Sequence, residues 1–322
     1  MIGKLLGTAA LALLAFAAAG CQRQGGGTMT VGFAQVGSES GWRTAETGAA
    51  KAAAEQRHVT LKISDAQQRQ ENQIKAIRAF IAQGVDAILL APVVSTGWDG
   101  VLKEAKQARI PVVLLDRQIE TSDPSLYLAA VAPDSVHEGG VAGDWLVKQV
   151  AGKPCRVVEL QGTVGASVTA ARKQGFAEAL AAAPNLSIVR SQSGDFTRSQ
   201  GKAVMVSFIK AEGDGHRICA VYAHNDDMMI GAIQAMKEAG LKPSKDVLTI
   251  SVDGVPDIFK AMADGEANAT VELTPEMAAP ALDLIAEYKK SGKVAVKWVK
   301  TPSRLFLPDT AKAEYERRKD RY

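Results

Sequence analysis

Residues 85–117, VDAILLAPVVSTGWDGVLKEAKQARIPVVLLDR, contain two short and predominantly apolar runs, at 86–90 and 111–115. A strand with one wet face alternates apolar and polar residues. A near-unbroken run leaves no wet face, which is the habit of strands covered on both sides in a parallel sheet. Between the runs, residues 97–108 place Val101, Leu102 and Ala105 at helical spacing, the stripe a helix needs to cover such a sheet. Strand, helix and parallel strand make one βαβ unit, and the connection is long enough for its crossover. The second run passes directly into Asp116 and Arg117, a charged pair at a strand's carboxyl end, where open α/β sheets bind their ligands. Taken alone, the pair also reads as a salt-linked loop capping the sheet.

The same alternation extends in both directions. Strands are predicted at 29–36 and 59–63, an alanine-rich helix from Thr44, and a helix over 70–83 with Ile74, Ile77, Phe80 and Ile81 on one face, closed by Gly84. A strand at 126–131 completes a doubly wound pattern. The chain then begins again, with a helix over 137–150 and strands at 157–160, 186–190, 220–223, 247–252 and 269–273, separated by helical segments. After a helix over 276–289 there is a short extended piece at 305–306 and a charged tail. The fold class is therefore α/β, two successive doubly wound halves with the first resumed late, joined by several crossings.

Composition excludes little except by charge. A net charge of +3 over 322 residues, with no basic run or helix-turn-helix pattern, argues against a nucleic-acid partner. Residues 1–21 read as an export signal: Lys4, an apolar stretch, and the small residues Ala18, Ala19 and Gly20 before Cys21. That ending resembles a bacterial lipoprotein signal, in which Cys21 is lipidated and becomes the mature N-terminus, although Ala18 stands where the pattern prefers Leu. Plain secretory cleavage is the alternative. Residues 22–28 form a tether, and the product is expected in the periplasm, anchored through Cys21. Cys155 and Cys219 open two apolar runs that fit adjacent strands. In an oxidising compartment they are a candidate disulfide, against the alternative of two buried thiols that never meet.

The strand ends collect Glu39, Trp42, Arg43, Asp116, Arg117, Asn225 and Asp253, with Arg172 and Phe196 placed at helix starts. Two aromatics among many hydrogen-bonding groups suit a sugar, whose C–H face packs on a ring while its hydroxyls bond carboxylates, amides and guanidinium groups. Each residue also has a plain structural reading: Trp42 as a cover on the sheet, Arg172 as a solvated helix face, Asn225 as an N-cap. Their recurrence at strand ends favours a site. Catalysis finds little support. QGTVGAS lacks the spacing of a phosphate loop or a dinucleotide fingerprint, no GxSxG is present, and His58, His137, His216 and His224 show no metal-binding spacing. No cofactor and no metal are expected.

Six segments, VGFAQVGSESGWR, LLDR, GTVGASVTAARKQGF, GDFTRSQGK, YAHNDDMMIGA and SVDGVPD, occur in that order. Together they resemble the sugar-binding components of bacterial ABC importers, in the ribose- and galactose-type cluster of periplasmic binding proteins. GSESGWR and QSGDFTRS resemble its galactofuranose-binding branch in particular. The resemblance spans residues 29–322 and implies two Rossmann-like lobes joined by a three-crossing hinge. It places the N-terminal lobe at 29–131 plus 274–301 and the C-terminal lobe and hinge at 132–273 plus 302–322. It implies a monomer that clamps a monosaccharide and delivers it to a membrane permease. The contacts it implies are Glu39, Ser40, Gly41, Trp42, Arg43, Asp116 and Arg117 from the first lobe. From the second come Arg172, Phe196, Asn225 and Asp253, with Glu272 near the hinge. Arg43 stands where ribose-type relatives carry an aromatic, implying a more polar ligand face. A sensor presenting its closed form to a chemoreceptor or kinase, or a sugar-acting enzyme using paired carboxylates, are the rival readings.

Overall fold

The computed structural model describes residues 28–320; the expected export signal at 1–21, with Cys21, lies outside them. The first half runs β1 (Thr30–Gln35), α1 (Gly41–Gln56), β2 (Thr60–Asp65), α2 (Gln70–Ala82), β3 (Ala87–Leu90), α3 (Asp99–Gln107), β4 (Val112–Leu115) and β5 (Ala129–Ala132). Next come α4 (Ser135–Val150), β6 (Cys155–Gln161), α5 (Ser167–Ala181), β7 (Leu186–Ser193), α6 (Arg198–Ala211), β8 (Ala220–Ala223), α7 (Asp226–Glu238), β9 (Leu248–Asp253), α8 (Pro256–Ala263) and β10 (Ala269–Glu272). The chain ends in α9 (Ala278–Ser291), β11 (Trp298–Lys300), β12 (Leu305–Phe306) and α10 (Pro308–Arg318).

Two sheets result. In the first, β11, β5, β4, β3, β1 and β2 lie side by side in that order, all parallel. In the second, β7, β6, β8, β9 and β10 are parallel, and β12 adds an antiparallel edge. The chain passes between sheets after β5, after β10 and after β11. The architecture is the two-lobed doubly wound α/β fold that the sequence pattern predicts.

The apolar runs behave as their composition requires. In β3, Ile88 and Leu90 face Ile77, Phe80 and Leu102 of α2 and α3, while Ala87 and Leu89 belong to the opposite core. In β4, Val112 and Leu114 share the first face, and Val113 and Leu115 the second. Each such side chain removed from water contributes about 1.5–3 kcal/mol, which holds the strand ends, and hence Asp116 and Arg117, in register. In the second lobe α4 and α5 pack with almost no gap. A Cβ on Gly139 would come within 2.1 Å of the Arg172 carbonyl oxygen, and one on Gly175 within 1.9 Å of that of Val136. Cys155 at the start of β6 and Cys219 just before β8 are joined in a disulfide, with Cα atoms 5.2 Å apart and a sequence separation of 64. The expected bond is present because those strands are parallel neighbours.

Several boundaries differ from the sequence reading. Helix α1 begins at Gly41 rather than Thr44, because Ser40 caps it: its Oγ accepts from the Arg43 N–H at 3.1 Å. The segment predicted as a strand over 126–131 starts with a 3₁₀ turn, Pro124–Leu126, and the strand begins only at Ala129. The charged tail is mostly helix α10. Among its eleven residues only Ala311 and Arg318 are buried, so no apolar stripe announces it. Strand β11, three residues at a sheet edge, was likewise too short to register.

Candidate functional site

The carboxyl ends of the two sheets face one another, and the polar residues meet there. Ser40 and the first turn of α1 bring Arg43 in from behind β1. Its guanidinium reaches Glu46 Oε2 at 2.5 Å, Asp116 Oδ2 at 2.7 Å and Glu39 Oε1 at 3.4 Å. Glu46 is in turn held by Gln35 Nε2 at 2.9 Å. Burial works against the Arg43 charge, but Glu46, Asp116 and Glu39 outweigh it and its pKa lies above the ordinary value. Arg117 points back toward β3, donating to the Val93 carbonyl at 3.0 Å. Burial and the neighbouring Arg43 push it down to about 10, which leaves it charged at neutral pH.

The second lobe presents Arg172 from the second turn of α5, not from the helix start. It bonds Glu138 Oε2 at 2.9 Å and the His224 carbonyl at 2.7 Å, and lies 3.9 Å from Asp253 Oδ1. Burial opposes the Arg172 charge as well, and Glu138 and Asp253 more than restore it. The Asp253 carboxyl is raised well above its usual range, chiefly by burial. Asn225 is both a lining residue and the N-cap of α7: its Oδ1 accepts from the Met228 N–H at 3.0 Å and its Nδ2 donates to the Phe196 carbonyl at 3.1 Å. Asp116, Phe196 and Asp253 all hold positive φ, at 61°, 60° and 129°. Non-glycine residues in such conformations are strained and cluster where function demands an exact placement.

Glu39, Ser40, Trp42, Arg43, Asp116 and Arg117 thus line one side of a small cavity, with Arg172, Phe196, Asn225 and Asp253 on the other. Glu39 Oε2, Asp116 Oδ1, Arg117 Nε and Arg172 Nη2 are buried without a hydrogen-bond partner. Leaving such atoms unmatched costs about 1–3 kcal/mol each, so the cavity is preset for a ligand rich in donors and acceptors. A wider depression of about 490 Å³, between α1 and α10, lacks this convergence of buried polar atoms. Outside the cavity the lobes are bonded directly: Gly41 N–H to Asp227 Oδ2 at 2.9 Å, Gln118 N–H to Ser167 Oγ at 2.9 Å, and Ser95 N–H to the Gly165 carbonyl at 2.8 Å. The cleft is closed.

Residues 31–293 match the sequence pattern of the periplasmic binding protein domain. The chain belongs to the periplasmic binding protein family. Among its relatives is the galactofuranose-binding protein YtfQ of Escherichia coli K12, 68% identical over 292 residues, which are 91% of this chain and 92% of that one. The crystal structure of a galactofuranose binding protein superposes with a TM-score of 0.90 at 68% identity, covering 91% of this chain and all of the other. The binding component of the arabinose ABC transporter of Shewanella sp. ANA-3, bound to α- and β-L-arabinofuranose, gives a TM-score of 0.88 at 57% identity over 91% of this chain and 96% of that one.

Within this periplasmic binding protein, two residues anticipated as ligand contacts stand elsewhere. Gly41 does not line the cavity; its amide is committed to Asp227 across the cleft. Glu272 faces the wider depression, with its carboxylate oxygens held by Arg318 at 2.6 Å and Arg304 at 2.8 Å. Sequence reasoning missed Val168 and Leu273, which complete the lining, and the rear glutamates Glu46 and Glu138. Glu46 carried a readable signal, since it lies three residues after Arg43 on one helix. Glu138 carried none, being on a different helix from Arg172.

Proposed function

We propose that the protein captures galactofuranose between its lobes outside the cytoplasm and delivers it to the permease of an ABC importer. The observation that carries the reading is the set of buried, unpartnered polar atoms converging on one small closed cavity that Trp42 and Phe196 also line. Glu39 Oε2 and Asp116 Oδ1 accept from ring hydroxyls, Arg117 Nε and Arg172 Nη2 donate to hydroxyl oxygens, and the aromatic side chains take the C–H face. Arg43 is spent on three carboxylates, so its part is to hold Glu39 and Asp116 in place. Support for a five-membered ring comes from the ligands named for the relatives at 68% and 57% identity. Because contacts come from both lobes, sugar favours the closed form by its differential affinity for it, and that form is what a permease reads. No chemical step is involved, and the sugar leaves unchanged. Cys21, lipidated, tethers the mature protein to the membrane.

Calorimetric titration with galactose, arabinose, ribose and glucose tests this. The expected result is binding of galactose whose stoichiometry fits only the minor furanose fraction of the solution, with glucose silent. Silence toward every sugar by a protein that melts cooperatively would overturn it.

A further inference from the structure

The polar cavity is not the end of the cleft. Beside the crossing that follows β5, a second chamber of about 210 Å³ opens between the lobes, lined by Gln118, Asp134, Ser135, Ser167 and Trp298 among others. Asp116 and Val168 line both spaces. We propose that this chamber is a second sugar subsite, and that the cleft accepts a galactofuranoside whose neighbouring sugar unit rests against Trp298. The inference builds on the galactofuranose reading above.

The wall has the chemistry of the first site in reduced form: one aromatic ring surrounded by hydroxyl, amide and carboxylate groups. Trp298 is 36% exposed, unusual for so large an apolar side chain, and it belongs to a three-residue edge strand with little core of its own to serve. Yet it is fixed. Its Nε1 donates to the Ala132 carbonyl at 3.0 Å, and the Lys300 ammonium lies 4.4 Å from the ring centroid, itself paired with Asp134 at 2.8 Å. An anchored and partly bare indole offers a C–H-stacking surface at little ordering cost. Asp116 Oδ1, on a residue 3% exposed, has no hydrogen-bond partner and stands where the spaces adjoin. An acceptor there suits a hydroxyl next to the glycosidic bond. Helix α5 adds free amide donors, since it begins at Ser167 with no side chain capping it.

The test titrates the full mature protein and its Trp298→Ala and Trp298→Phe variants with galactose and with a galactofuranosyl-galactose disaccharide. Wild type is expected to bind both. Trp298→Ala is expected to lose about tenfold in affinity for the disaccharide, the scale of one stacking contact, while binding galactose as wild type does. Trp298→Phe is expected to recover most of the loss. Galactose binding by every variant shows that each is folded. Disaccharide binding absent from a wild type that takes galactose overturns the subsite and leaves the function reading intact. Equal disaccharide affinity in wild type and Trp298→Ala overturns the role of Trp298. Silence toward both sugars overturns the galactofuranose reading, and the subsite with it.

Discussion

Each lobe brings an arginine to the cleft, and each arginine is backed by a buried glutamate, but the two pairs are built differently. Arg43 and Glu46 sit three residues apart on α1, so one helix fixes both. Arg172 is on α5 and Glu138 on α4, and their contact exists only because Gly139 and Gly175 let the two helices touch backbone to backbone. The first lobe's arginine–glutamate pair is local, and the second lobe's is tertiary. A perturbation that loosens packing should therefore damage the second half of the site first.

The largest expected effect is on binding. Arg172→Ala leaves Glu138 and Asp253 buried with their cation gone, and truncating one partner of such a set costs about 2–5 kcal/mol, enough to abolish measurable sugar binding. Asp116→Ala should do the same from the first lobe. Calorimetry on variants that still melt cooperatively checks both, and sugar binding at wild-type strength in either would remove that residue from the site. Next is the disulfide, which lies in the second lobe alone. Closing a loop of 64 residues is worth about 4 kcal/mol in the chain-entropy model. Reduction should lower the melting temperature by roughly 10 °C, with faster hydrogen exchange in β6 and β8 than in β1 and β3. Equal exchange in the two sheets would mean that the lobes do not differ in the way described.

A smaller change is expected at Asp227, which lines neither chamber and bonds Gly41 across the cleft and Arg198 within its own lobe. Asp227→Ala should weaken sugar binding about tenfold by disfavouring closure, the scale of one charge-assisted bond, with the second-lobe fold retained. The smallest effect concerns pH. Burial pushes Asp226 up to about 7, although Ser251, Thr270, Gly254 and Val255 all donate to it and hold the rise in check. The folded protein then keeps a proton that the unfolded chain releases near pH 4. That stability is fully present below the unfolded value and is lost as pH rises through about 7. Melting should fall by a few degrees between pH 5 and pH 8, and Asp226→Asn should flatten the slope.

What the sequence disclosed follows the same division between local and tertiary. Strands β3 and β4 were readable because covering both faces forces uninterrupted apolar runs, and Asp116 and Arg117 followed from where β4 stops. The disulfide was readable from strand order. Glu138 was not, since nothing near Arg172 in sequence points to α4. Helix α10 was hidden because its burial rests on Ala311 and on Arg318, whose guanidinium lies 5.1 Å from the ring centroids of both Phe259 and Phe306. A charged residue doing the work of an apolar one defeats any hydrophobic pattern. The same arginine explains Glu272, which similarity to other sugar-binding proteins brings to the ligand and which Arg318 instead claims.

The bonds that Gly41 and Ser95 make across the cleft join residues that line neither chamber, outside the sugar's reach. An enclosed sugar cannot escape until they part, whatever its own grip on the walls. The lifetime of the loaded receptor is therefore limited by the opening of the shell, and weak and strong ligands share one upper bound on their exit rate. A permease that pries apart these few backbone amides would unload any cargo at its own pace, without having to recognise the sugar at all.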